Sequence, residues 1–404
     1  MQRTTIKIAL FLNYFVFAIL LNSVGIVMLK AQNVYGISET GVSILEGCKD
    51  LPIAIVSFFL ASFLPRIGYK KAMLAGLGIV AFACLGMYFG NSFLASKLLF
   101  VAVGSSFALI KISVYSTIGL VTDNEQEHNS LMSNIEGFFM FGIALAYFLF
   151  PAFNSESSPN AWLNVYLLLA AISILSFLFL LKADFNTDEE IVGSDLLEDI
   201  SGMLKLVLKP LVLIFVASAF LFVMIEQGIM SWLPSFNNKV LNLPENIAIM
   251  MSSILAVSLG IGRFGAGFLA KKFSWFSILT FCIIAAMLVV WFVLPLTVNA
   301  DIGVVTSLKD IPAIGYAFPL VGLFIAPIYP MLNSVVLSAL PKKLHSHMSG
   351  LIIIFSALGG TLGSQLIGRL FDYVGGETAF TYTLIPMAGL FLAMLALKRL
   401  TADK

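Results

Sequence analysis

The sequence predicts an all-α membrane protein that crosses the bilayer twelve times, in two sets of six helices. Three observations carry that prediction. First, 59% of the 404 residues are hydrophobic and only 11% are charged, with a mean hydropathy of +0.99. A soluble chain carries roughly 25% charged residues, so no water-soluble core hides this much apolar surface. Second, the apolar residues fall in runs of about 20, the length that spans hydrocarbon. Third, one long stretch that opens acidic, ADFNTDEEIVGSDLLEDISGMLKLVLK, separates six runs from six more. The same composition excludes a secreted enzyme and a nucleic-acid binder. With 23 Lys+Arg against 22 Asp+Glu, net charge says nothing of partners.

The first run, 7–29, has no small-residue cleavage site behind it and reads as a spanning helix, not a removed leader. The next five fall at 42–64, 72–90, 96–120, 131–152 and 163–182. Their connections are short because loop backbone finds no partners in hydrocarbon. Residues 183–209 form a linker. Within it Leu196, Leu197, Ile200, Met203, Leu204 and Val207 recur at helical spacing, as in an interfacial amphipathic helix. The second set falls at 210–233, 246–270, 275–297, 312–340, 348–371 and 379–398. The expected division is therefore a bundle over 1–182, the linker 183–209, and a second bundle over 210–404.

Lys and Arg gather in the even-numbered connections: Arg66, Lys70 and Lys71, then Lys182, Lys205 and Lys209, then Lys271 and Lys272, then Lys342 and Lys343. The termini add Arg3, Lys7, Lys398, Arg399 and Lys404, against Lys30, Lys239 and Lys309 on the other side. Basic connections stay inside, so both termini and the linker are expected on the cytoplasmic side of an inner membrane. The acidic connection TDNEQEHNS, after the fourth run, is the one departure.

Two six-helix halves around a cytoplasmic linker resemble the layout of the major facilitator superfamily. SFLPRIGYKK (62–71) resembles that superfamily's glycine- and basic-rich loop, with Pro65 where the motif has an acid, and GIGRFGAGFLAKK (260–272) is its counterpart in the second half. Arg66 and Arg263 are the gating candidates these motifs imply. IEQGIMSWLPSF (225–236), GLFIAPIYPMLNSVVLSAL (322–340) and SGLIIIFSALGGTLGSQLIGRLFD (349–372) resemble the fucose–galactose–proton symporter branch. The resemblance implies a major facilitator fold and alternating-access uptake of a sugar with a proton. That branch places acids in helices one and four. Here helix one offers Asn13, Asn22 and Ser23, and helix four carries Lys111, so the branch's coupling residues do not carry over.

Charge inside a span is costly unless paired or wet, so each such residue is a candidate. Glu46, Lys49 and Asp50 share a face of helix two, where Lys49 can neutralise one acid and leave the other to titrate. This trio reads as a solvated mouth, an outer gate or a coupling site. Lys111 lies near mid-depth, and Glu136 in helix five is expected within salt-bridge reach of it. That pair reads as a structural lock, or as a switch released when substrate or a proton arrives. A cation at that depth also suits an anionic substrate such as a sugar acid.

Glu226, Gln227 and Trp232 in helix seven offer hydroxyl partners and an aromatic face. Tyr329, Asn333 and Ser334, together with the two prolines Pro327 and Pro330, give helix ten a broken centre whose freed carbonyls line a cavity. Gln365 adds a polar wall in helix eleven, and Asn13, Tyr14 and Asn22 do so in helix one or serve as glue between helices. The proton is assigned to carboxylates: Glu136 and Glu226, with Glu46 and Asp50 behind them. His128, His345 and His347 are expected in loops.

No nucleotide-binding GxxxxGK[ST] and no HExxH occurs, and Cys48, Cys84 and Cys282 lack ligand or disulfide spacing. No enzyme activity, metal or cofactor is expected. The expected function is secondary, proton-coupled uptake of a small polar solute: a sugar, an amino sugar or a sugar acid. Asn13, Asn22, Lys111, Glu226, Gln227, Trp232, Tyr329, Asn333 and Gln365 are the binding candidates, and Lys49, Arg66 and Arg263 the gating ones. The alternative is a drug or siderophore exporter of the same fold. Protons, the solute and the bilayer are the expected partners, and a monomer the expected state, since each chain carries both halves.

Overall fold

The computed structural model describes residues 2–122, 125–155, 158–182, 203, 205–341 and 344–402. Among them the chain is helical, and eleven helices are long and apolar enough to cross a membrane. The remaining expected span, the second (42–64), is a helix too, Ile44–Ile67, and carries Glu46, Lys49 and Asp50 in its opening turns. The fold is all-α with the twelve-helix layout of the major facilitator type. The predicted amphipathic helix lies outside the described residues, apart from Met203 and residues 205–207, which are helical.

Several spans depart from their expected bounds for local reasons. The first does not stop at residue 29. Gln2–Asn22 is followed by Val24–Tyr35, broken where Ser23 Oγ donates to Leu20 O (2.8 Å) and Asn22 Nδ2 to Ala18 O (2.8 Å). Short polar side chains compete in this way with the helical backbone ladder. Residues expected in the acidic connection TDNEQEHNS instead begin the helix Glu125–Ala152. His345, also expected in a loop, opens the helix His345–Val374. In the ninth span, Trp275–Leu288 gives way to a π-turn at Val289–Val293 before Leu294–Val298. Pro295 has no N–H to complete an α-turn there. The tenth is not one helix but short turns that break at Ala326–Pro327 and resume as Ile328–Ala339.

The connection before the tenth span is held by Asp310. Its carboxylate accepts from Thr306 N (2.9 Å), Thr306 Oγ1 (2.8 Å) and Ser307 N (2.8 Å). Bonds to the ionised form hold that carboxyl below the usual range.

The chain divides into two compact units. One holds Met1–Val27 and Cys48–Asp199; the other holds Met28–Gly47 and Ile200–Lys404. The division departs from the expected bundles at 28–47, which belongs with the second half although it joins the first two spans. Within unit one, Tyr69–Gly90 packs on Phe93–Val121 and Asn164–Lys182, and Gln2–Asn22 on Glu125–Ala152. A Cβ on Gly104 would lie 2.2 Å from Lys49 O, so the second and fourth spans touch backbone to backbone. Lipid-side positions keep large apolar groups outward, Phe82 and Phe89 among them.

Within unit two, Pro210–Lys239 packs along His345–Val374. Glycines set the spacing, as small residues do where membrane helices approach closely. A Cβ on Gly359 would fall 2.3 Å from Phe220 O, and one on Gly363 2.5 Å from Met224 O. Gly359→Ala should therefore push the seventh and eleventh spans apart and cost about 1–3 kcal/mol, the usual scale of overpacking. A thermal midpoint equal to that of the parent protein would refute this.

Candidate functional site

In unit one the polar groups converge on Lys111. It sits on Phe93–Val121, roughly 27 Å along that helix at 1.5 Å per residue. Phe107 and Tyr115 are four residues before and after it, on the same face. The ammonium is 5.8 Å from the Phe107 ring centroid and 6.0 Å from that of Tyr115, and Lys111 is exposed. The Tyr115 hydroxyl donates to Glu136 Oε1. Tyr14 closes the group, with its ring 6.0 Å from Tyr115 and 5.5 Å from Phe139.

The expected Lys111–Glu136 salt bridge does not form. Among the described residues Lys111 has no carboxylate at ion-pair distance. Tyr115, one turn further along, takes up the carboxylate instead.

Asn13 and Asn22 are both engaged in hydrogen bonds within the protein. Asn13 is fully buried; its Oδ1 accepts from Ser176 Oγ (3.1 Å), and its Nδ2 lies 4.0 Å from Met73 Sδ. It ties three helices together. Asn22 serves the helix break. Lys49 Nζ lies 3.4 Å from Asp50 Oδ1, both nearly buried, so Asp50 is the acid Lys49 neutralises. The side chain of Arg66 lies outside the described residues.

Unit two has its own mid-span cluster. Arg263, in the motif GIGRFGAGFLAKK and within the expected span 246–270, lies inside the helix Glu245–Leu269. It reaches Glu226 on the seventh span, Nη2 to Oε1, at 3.2 Å. Both act electrostatically on Tyr329, whose hydroxyl meets Ser356 Oγ at 3.1 Å and the Asn333 amide. The Tyr329 ring stacks on Phe222 at 5.3 Å and 21°. Asn333 Oδ1 is buried with no hydrogen-bond partner among the described residues. The break at Ala326–Pro327 lies just before Tyr329 and Asn333. Gln227 is half-buried beside Glu226, and Gln365, also half-buried, lies near Gly47.

Trp232 does not present a face to a solute. It is fully buried, its indole N–H donates to Ser364 O and Oγ, both at 3.1 Å, and its ring lies 5.1 Å from Phe371. Trp232→Phe should cost about 1–2 kcal/mol through the orphaned Ser364 acceptors while leaving the KM of transport unchanged. A large rise in KM without loss of thermal stability would return Trp232 to the binding residues.

A second polar group in unit two was not foreseen. Segment 28–47 is bound to the seventh, eighth and eleventh spans by Lys30 to Glu245, Asn33 to Glu245 (2.6 Å), Lys239 to Glu39 and Thr40 N to Asp372 (2.8 Å). Gln32 donates to Ser235 Oγ (3.1 Å), and Ser231 Oγ to Glu46 (2.7 Å). Glu46 is fully buried and Lys30 only 4% exposed. Ser231, Ser235 and Lys239 recur every four residues, a stripe visible in the sequence. From the sequence, Lys30 and Lys239 read only as charges of the outer connections.

Comparison with known proteins follows the fold. The family model described as Major Facilitator Superfamily matches residues 8–364. The curated MFS transporter asaE of Aspergillus flavus is 29% identical over 118 residues, which is 29% of this chain and 24% of that protein. The match thus spans about a quarter of that relative's length. A variant of the nucleoside transporter NupG superposes with a TM-score of 0.74 at 14% identity, over 98% of this chain and 100% of that one. A variant of the E. coli fucose:proton symporter FucP gives 0.63 at 15% identity, over 98% and 99%. At such identities the solved structures show the fold alone.

Proposed function

Since the chain belongs to the Major Facilitator Superfamily, whose members are transporters and not enzymes, we propose that it takes up a small polar solute, a sugar in the first instance, together with a proton. The observation that carries this reading is the mid-span cluster Glu226, Arg263, Tyr329, Asn333 and Ser356 with Phe222 beside it. A carboxylate, a guanidinium, a phenol and an amide at one depth can donate to and accept from several hydroxyls. The buried Asn333 Oδ1 is an acceptor awaiting such a donor, and an aromatic ring can pack on a sugar's apolar face. A drug exporter would need a roomier and more apolar wall. Similarity to a fucose:proton symporter and a nucleoside transporter is compatible with a hydroxylated solute.

In this reading Glu136 carries the proton and Tyr115 positions it, with Glu226, Glu46 and Asp50 as further proton sites. Lys49, Arg66 and Arg263 take part in gating. The protein works as a monomer in the cytoplasmic membrane with both termini inside. Two units that rock about a shared depth are the general plan for such transport.

The test is uptake of radiolabelled sugars and sugar acids into proteoliposomes under an imposed pH gradient. Gradient-dependent accumulation of at least one is expected. No accumulation of any would sink the reading.

A further inference from the structure

We infer that the solute carries a carboxylate, and that Lys111 is the residue that selects for it: the substrate class is a sugar acid. The inference rests on the transport reading above and deepens it.

A lysine inside a span is tolerated when it is paired or faces water or a ligand. Lys111 is not paired with a carboxylate among the described residues. Glu136, on the neighbouring helix, acts electrostatically on Lys111 but lies beyond ion-pair distance from it and is held by the Tyr115 hydroxyl. What surrounds the ammonium is aromatic: Phe107 at 5.8 Å and Tyr115 at 6.0 Å, with Tyr14 6.4 Å from Phe107 and Phe139 6.1 Å from it, centroid to centroid. Ring faces offset part of the cost of the charge but accept no strong hydrogen bond. An ammonium has three donors and no acceptor. The group that completes it is an anionic acceptor.

The same rings offer apolar faces to the C–H side of a sugar ring, and the Tyr115 hydroxyl lies one turn away for a ring hydroxyl. An amino sugar meets the opposite situation, since its ammonium would approach another ammonium. The two solute types that a mid-depth lysine suggests are thus separated by the hydrogen-bond partner that Glu136 has and that the Lys111 ammonium lacks among the described residues.

Binding to the full-length protein in nanodiscs tests this. The probes are D-glucuronate, D-galacturonate and N-acetylneuraminate, each beside D-glucose, D-galactose and D-glucosamine. At least one acid should bind about tenfold or more tightly than the neutral and amino sugars, since loss of a desolvated charge pair costs that much or more. Lys111→Gln should remove the preference and Lys111→Arg keep most of it. Size-exclusion profile and thermal midpoint establish that both variants fold; if Lys111→Gln does not, Lys111→Met serves in its place. Equal affinity for acid and neutral sugars, or a preference that survives Lys111→Gln, overturns the assignment.

The two readings fail differently. Gradient-driven accumulation of a neutral or amino sugar, with no sugar acid bound, refutes the role of Lys111 and leaves transport standing. No binding and no accumulation across both sugar panels refutes both.

Discussion

Glu245→Gln should loosen segment 28–47 from its unit and lower the thermal midpoint of the whole protein. Lys30 is 4% exposed, and Glu245 accepts from both Lys30 and Asn33. Removing the negative partner of a buried cation costs roughly 3–5 kcal/mol, because the remaining charge is left in a medium that cannot solvate it. Glu245 keeps 24% of its side-chain surface, so the lower end, about 3 kcal/mol, is expected.

The loosening can be read directly. With the three native cysteines replaced by serine, Gln32→Cys places a thiol at a site only 7% exposed. A membrane-impermeant maleimide should label it at least about tenfold faster in the Glu245→Gln background, the factor that about 1.4 kcal/mol of easier opening gives. The double change Lys30→Met, Glu245→Gln should recover most of the stability, since an apolar pair needs no desolvation. Unchanged labelling and an unchanged midpoint in Glu245→Gln would show that the pair does not hold the segment.

The second large effect is on coupling. One proton moved down a gradient of one pH unit supplies about 1.4 kcal/mol, enough to concentrate a solute about tenfold. Glu136→Gln should abolish that accumulation, bringing the internal-to-external ratio to about one, while solute exchange across the membrane continues. Tyr115→Phe removes the hydroxyl that meets Glu136 and should leave coupling in place. Accumulation above equilibrium by Glu136→Gln would move the coupling assignment to Glu226. Arg263 already meets Glu226 at 3.2 Å.

What was legible in the sequence follows from the kind of signal involved. Span number and approximate position came from runs of apolar residues. The break in the tenth span came from Pro327, whose missing N–H acts locally. Partner choice did not come through. Spacing along one helix says which residues share a face, as for Tyr329 and Asn333. It cannot say which neighbouring helix supplies the partner. Arg263 therefore reads only as a gating residue of its motif, and its contact with Glu226 on the seventh span does not show. Lys111 was expected on Glu136, and Tyr115 stood closer to that acid. Trp232 looked like a sugar platform because an aromatic near a polar pair often is one. Its burial by Phe371 and Ser364 depends on packing more than 130 residues away in sequence.

The residence of 28–47 in the second unit bears on how the protein is made. The acceptor of Lys30 lies 215 residues further along the chain, and that of Thr40 lies 332 further. A ribosome adding about 5–20 residues per second delivers the two ends of these bonds tens of seconds apart. The segment must therefore wait, already synthesised, for helices that do not yet exist. The second half in turn emerges without the strand of polar groups that its own seventh span is built to receive. Assembly of this chain is then not one half followed by the other. It is completed when an early piece is handed across to a late one.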